Sequence, residues 1–165
     1  MKTFVALALP FAWLASSQVL AQQDHPATEM MAPAQVPMSE EAYAQFCIDA
    51  VEQTILHEGP ETVAAIIAEP IPASASIYLP PDTYFKQLRQ IANKYGVVLI
   101  IDEVINGFGR TGKMFASEHW DIEPDIMTMA KGLTSGYAPM GAVMVSERIT
   151  SVFDSAKGRE SGLNH

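Results

Sequence analysis

The 165 residues, 48% hydrophobic and 18% charged, are enough for one domain with a real core. A net charge of −9 and an isoelectric point near 4.8 exclude a phosphate-binding surface of the kind nucleic acids require. The single cysteine, Cys47, excludes an intrachain disulfide and a cysteine-based zinc site, and its apolar surroundings at helical spacing mark it as a small core residue.

Residues 1–22, "MKTFVALALPFAWLASSQVLAQ", have the three parts of a secretory signal. Lys2 gives the positive start, Phe4 to Leu14 an apolar run too short to span a bilayer, and Val19-Leu20-Ala21 a small-residue cleavage site before Gln22. Export, or a periplasmic location, is the expectation if this segment works as a signal. Residues 23–38 are rich in proline and lack an apolar period, which reads as a linker.

The folded pattern occupies 39–165. "SEEAYAQFCIDAVEQTILHEG" reads as a helix with Ser39 as N-cap, acids in the first turn, Phe46, Ala50, Ile55 and Leu56 on its apolar side, and Gly59 as its end. "TVAAIIAEP" is a continuous apolar run stopped by Pro70, as in a strand covered on both faces. "PDTYFKQLRQIANKYG" predicts a helix starting at Pro81 and Asp82, with Gly96 just past its end. "VVLIID" is a further strand, so strand, helix and strand form a βαβ unit with parallel strands. Two short apolar runs follow, "DIMTMAKG" at 125–132 and "GAVMVS" at 141–146, and "ERITSVFDSA" predicts a last helix. No internal repeat is present, and the class is α/β, a mostly parallel sheet with flanking helices.

In open α/β sheets, ligands bind beyond the carboxyl ends of strands, and Asp102 stands at such an end. A carboxylate there can serve as a metal ligand, a general base, an anion facing a protonated heterocycle, or a loop cap. Glu103 points to the opposite side if the strand continues, so the two are not an acid/base pair. His57 and His119 stand alone, without the neighbours a metal site needs. Lys131 leaves the next apolar run into a small-residue loop, the place for a desolvated Schiff-base lysine or for a structural one. Gly107, Gly109 and Gly112 follow a carboxylate rather than opening a helix, so they are not a phosphate-binding fingerprint.

Taken together, "LIIDEVINGFGRTG" at 99–112 and "DIMTMAKGLTSG" at 125–136 are far more specific, with Asp102 and Lys131 29 positions apart. They resemble the signature of class III pyridoxal-phosphate-dependent aminotransferases, the family of the omega-amino acid transaminases. "EGPETVAAIIAEPI", "PPDTYF", "FASEHWDIEPD" and "GAVMVSERI" extend the resemblance from about Tyr43 to His165. It implies a partial fold-type-I large domain and pyridoxal phosphate as cofactor. Lys131 then resembles the lysine that forms the internal aldimine, Asp102 the carboxylate paired with the pyridine nitrogen, and Val104 an apolar contact to the ring. Glu103 has no role assigned by the resemblance. After "EPI" the resemblance implies glycine-rich sequence, often of positive φ, and "PASASIYLPP" departs from it by placing Pro72, Ala73 and Ser74 in that loop.

The implied reaction moves an amino group from an omega-type amino donor to a keto acid such as pyruvate. The resemblance also implies a cytoplasmic homodimer of several hundred residues. Its phosphate cup, its ring-stacking aromatic and its substrate arginines fall outside the matched stretch. A central fragment that needs a complementing chain is therefore expected, beside two alternatives: an exported binding or scaffold domain without chemistry, and a truncated product without function.

Overall fold

In the computed structural model the described residues are 38–75 and 77–154; residues 1–37, with the signal and linker readings, lie outside them. Helix α1 runs Glu40–Glu58, strand β1 Ala65–Ala68, α2 Tyr84–Tyr95, β2 Val98–Asp102, β3 Ile126–Met129, β4 Ala142–Val145 and α3 Glu147–Asp154. The strands form one sheet in the order β1-β2-β3-β4. β1, β2 and β3 are parallel, and β4 returns antiparallel to β3. The βαβ unit and the mostly parallel sheet expected from the sequence are both present.

Local chemistry accounts for the boundaries. The Ser39 hydroxyl accepts from the Ala42 N–H and caps α1. Gly59 ends that helix at φ 84°, and the Thr62 hydroxyl donates to the Glu58 and Gly59 carbonyls there. Thr62 thus belongs to the helix end, and β1 is shorter than the apolar run suggests. Helix α2 begins at Tyr84 rather than at Pro81, because Pro81 and Asp82 lead a turn in which the Tyr84 N–H donates to the Pro81 carbonyl. Gly96 ends it in the left-handed conformation, φ 64°, as expected. In the loop after β1 a short 3-10 turn occupies Ala73–Ala75, and Ile77 beyond it has a positive φ of 52°.

The core lies between α1, α2 and one face of the sheet. Val51 and Ile55 of α1, Phe85 and Leu88 of α2, and Ile66, Leu99 and Ile101 of the strands are all fully buried in one cluster. Each such side chain stabilises by about 1.5–3 kcal/mol. The buried stripe of α1 is Ala44, Cys47, Ile48, Val51 and Ile55, so Leu56, expected inward, is exposed. The reason is periodicity, since stepping back from Ile55 by three or four residues reaches Val51, Ile48 and Ala44 but never Leu56.

Alternation along β2 sends Leu99, Ile101 and Glu103 into that core and Val98, Ile100 and Asp102 to the opposite face. On that second face, Ile126 and Thr128 of β3 pair with Ile100 and Asp102, and Val145 and Val143 of β4 continue the two rows. Ile100 and Ile126 are half-buried, and the two valines are exposed.

Candidate active site

Asp102 and Lys131 come from neighbouring parallel strands at the same end of the sheet. Asp102 is the last residue of β2 and lies in register with Thr128; Lys131 follows β3 by two residues. Adjacent strands are about 4.8 Å apart, so Asp102 and Lys131 leave the sheet at one end of a narrow platform. Among the described residues no group of three or more His, Cys, Asp or Glu is placed to hold a metal ion. His119 bonds Thr111 through Nε2, and His57 is exposed.

Asp102 is half-buried, and its Oδ1 accepts from the Val104 N–H at 2.9 Å. This small turn fixes the carboxylate and places half-buried Val104 just beyond the strand end. Beside it, the buried Thr128 Oγ1 has no hydrogen-bond partner among the described residues. A carboxylate, an unpaired hydroxyl and an amine beyond one sheet end fit the ring nitrogen and the aldehyde of pyridoxal phosphate.

Lys131 is exposed and has φ 38°, in the left-handed region. Among the described residues the Lys131 side chain lies open, at the mouth of β3. The backbone conformation costs about 1–3 kcal/mol for a residue with a β-carbon. A short 3-10 turn over Lys131–Leu133 follows, with the Leu133 N–H donating to Ala130 and the Thr134 N–H to Lys131. Gly132 lies so close to Phe108 that a β-carbon on it would stand 2.9 Å from Phe108 Cβ.

Glu103 does the opposite of Asp102. Its carboxylate is wholly buried and accepts from the Ala116 N–H at 3.1 Å and the Ser117 N–H at 2.7 Å. Its own N–H donates to the Thr128 carbonyl, and its carbonyl accepts from the Gly107 N–H. The alternation of β2 would have sent this side chain inward, and an inward carboxylate demands donors, but no spacing rule pointed to Ala116 and Ser117.

One further group went unnoticed in the sequence. Buried Asp125, just before β3, accepts from the Leu99 N–H and from Arg89 at 2.9 Å each, and from Arg148 at 3.1 Å. Burial alone would raise its carboxyl, but these donors outweigh it and hold it below the ordinary carboxylate range. Cys47 is a core residue as expected; burial pushes its thiol up, against a smaller downward pull from its hydrogen bond with Tyr43.

A mixed α/β sheet whose βα exits carry a carboxylate and a lysine defines a fold-type-I cofactor domain in part. The chain matches the family model described as aminotransferase class-III over residues 7–162. It is 44% identical over 127 residues to a probable gamma-aminobutyrate transaminase 4 of Oryza sativa subsp. japonica, covering 77% of this chain and 26% of that protein. It is 43% identical over 128 residues to a diaminobutyrate–2-oxoglutarate transaminase of Halomonas elongata, covering 78% and 27%. The omega transaminase of Pseudomonas jessenii, solved in complex with PMP, superposes with TM-score 0.73 at 39% identity, over 80% of this chain and 29% of that one. The chain belongs to the class III aminotransferase family, whose members use pyridoxal phosphate. It spans about a quarter of the length of the curated relatives it matches.

Proposed function

We propose that this chain carries the lysine-bearing part of an aminotransferase site, which moves an amino group from an omega-type amino donor to a keto acid such as pyruvate. The observation that carries the reading is the exit of Asp102 and Lys131 from one end of two neighbouring parallel strands. When bound, pyridoxal phosphate supplies an aldehyde open to amines and a ring that takes up the electron pair left on the substrate carbon.

The chain's own residues then have distinct work. The Lys131 amine would hold the cofactor by its aldehyde and would be the group that takes and returns a proton at the substrate carbon. The Asp102 carboxylate keeps the proton on the ring nitrogen, and its bond from the Val104 N–H stops it from swinging away. Val104 offers the ring an apolar contact. Lys131 and the 135–141 loop are exposed among the described residues, and a homodimer partner or a complementing polypeptide is our candidate for covering them, contacting the phosphate and selecting the substrate carboxylate.

The test is a titration of the purified chain with pyridoxal phosphate, followed by visible absorbance, beside Lys131→Ala and Asp102→Asn. A saturable band, lost in Lys131→Ala and displaced in its pH dependence in Asp102→Asn, is expected. A band of equal size in wild type and Lys131→Ala would refute the assignment.

A further inference from the structure

Lys131 is held from outside its own strand. Its loop meets the turn that follows Asp102 where Gly132 packs on Phe108 with no room for a β-carbon. Phe108 is itself in the left-handed region, φ 62°, as Lys131 is at φ 38°. Two residues with β-carbons in that region, on adjoining loops and joined by one close contact, need an anchor outside both loops.

The anchor is traceable. The Phe108 N–H donates to the Met114 carbonyl, and the Phe108 ring meets Phe115 edge-on at 5.6 Å between centroids. The next two residues, Ala116 and Ser117, give their N–H groups to the buried Glu103 carboxylate. Glu103 is in turn fixed to β3 through its N–H on the Thr128 carbonyl. The path thus starts beside Asp102 and ends beside Lys131. Charge-assisted bonds to a fully buried carboxylate are the strong kind, and they hold only while both N–H groups stay in place.

We infer that Glu103 and Phe108 are positioning residues: Glu103 pins the 104–119 segment, and through it Phe108 presses on Gly132 and sets the backbone of Lys131. The inference deepens the aminotransferase reading and rests on it for its chemical meaning, whereas the clamp itself is a property of the fold.

The test uses the full chain and two independent readouts. The first is amide hydrogen exchange at Leu133 and Thr134, measured without any cofactor. The second is borohydride trapping after exposure to pyridoxal phosphate, with peptide mass spectrometry to show which lysine is labelled. Gly132→Ala is expected to speed exchange at Leu133 and Thr134 about tenfold and to slow labelling of Lys131 by a similar factor, while Lys113 is unchanged. Adding Phe108→Gly removes the clashing Cβ and ring, so the double variant should recover at least threefold over Gly132→Ala alone. Direct contact predicts this recovery, and general destabilisation predicts the reverse. Glu103→Gln keeps the shape and loses the charge. It should speed exchange at the same two amides while leaving the Leu99 and Ile101 amides at the wild-type rate.

Unchanged exchange at Leu133 and Thr134 in both Gly132→Ala and Glu103→Gln overturns the clamp, as does a double variant worse than Gly132→Ala. Should the exchange results hold while wild type labels Lys131 no faster than Lys113, the clamp stands and the aminotransferase reading falls.

Discussion

Replacing Asp125 with alanine is the most informative test of how the fold is tied together. The carboxylate is 8% exposed and joins three elements: β2 through the Leu99 N–H, α2 through Arg89, and α3 through Arg148. Loss of the carboxylate leaves the Leu99 N–H buried without an acceptor, at about 1–3 kcal/mol. Arg89 is 19% exposed, and its Nε and Nη2 already lack partners among the described residues. Without Asp125 it keeps only a 3.4 Å bond to the Glu123 carbonyl, which costs about another 1.5–3 kcal/mol. Arg148 is half exposed, so solvent screens its pair and adds at most about 0.5 kcal/mol. The sum is about 2.5–6.5 kcal/mol, against a total stability of about 5–15 kcal/mol for an ordinary domain. Urea unfolding followed by the fluorescence of Trp120, buried against Phe85, reads it directly. Asp125→Asn retains an acceptor for Leu99 and should lose about half as much, and Arg148→Ala should lose little. An Asp125→Ala variant within about 1 kcal/mol of wild type would refute the reasoning.

The same carboxylate sets a pH dependence. Its folded value lies below its unfolded one of about 3.9, so its contribution is complete above about pH 4 and is lost as pH falls through the folded value; the urea midpoint should drop in that range, and less steeply in Asp125→Asn. Gly96→Ala should cost about 1–2 kcal/mol in a thermal or urea melt, all of it backbone strain, since nothing lies within 4 Å of the added methyl. If the N-terminal segment acts as a signal, cleavage after Ala21 makes Gln22 the first residue of the mature chain, and N-terminal sequencing that finds Met1 or Met38 would remove the case for export.

What the sequence disclosed follows from the range of each interaction. Ser39, Gly59 and Gly96 act on their own helix ends, and their effects are written within a few residues. The apolar runs at 97–102 and 125–132 are likewise legible as strands because one face is buried and the other half-buried, which leaves little room for polar residues. Asp102 and Lys131 stand out by their places at strand exits, and only a spacing shared with a family gives them definite roles. Glu103, Asp125 and the Phe108–Gly132 contact stayed hidden because their partners lie between 13 and 36 positions away, where chain pattern carries no signal. The exposure of Leu56 shows a different limit, since several helical stripes can be drawn through α1 and only packing on α2 and the sheet selects one.

Strand β4 has a practical consequence for anyone handling this chain. It pairs with β3 on one side and with no strand on the other among the described residues, and its sequence, Ala142-Val143-Met144-Val145, carries no charge and no proline. Natural sheets guard such borders with lysine, proline or a bulge, because an unguarded one templates the addition of another molecule. Solubility should therefore fall with concentration well before the fold itself fails. Val143→Lys, at a position 62% exposed, is the single change that should raise the solubility limit while leaving the melting temperature where it was.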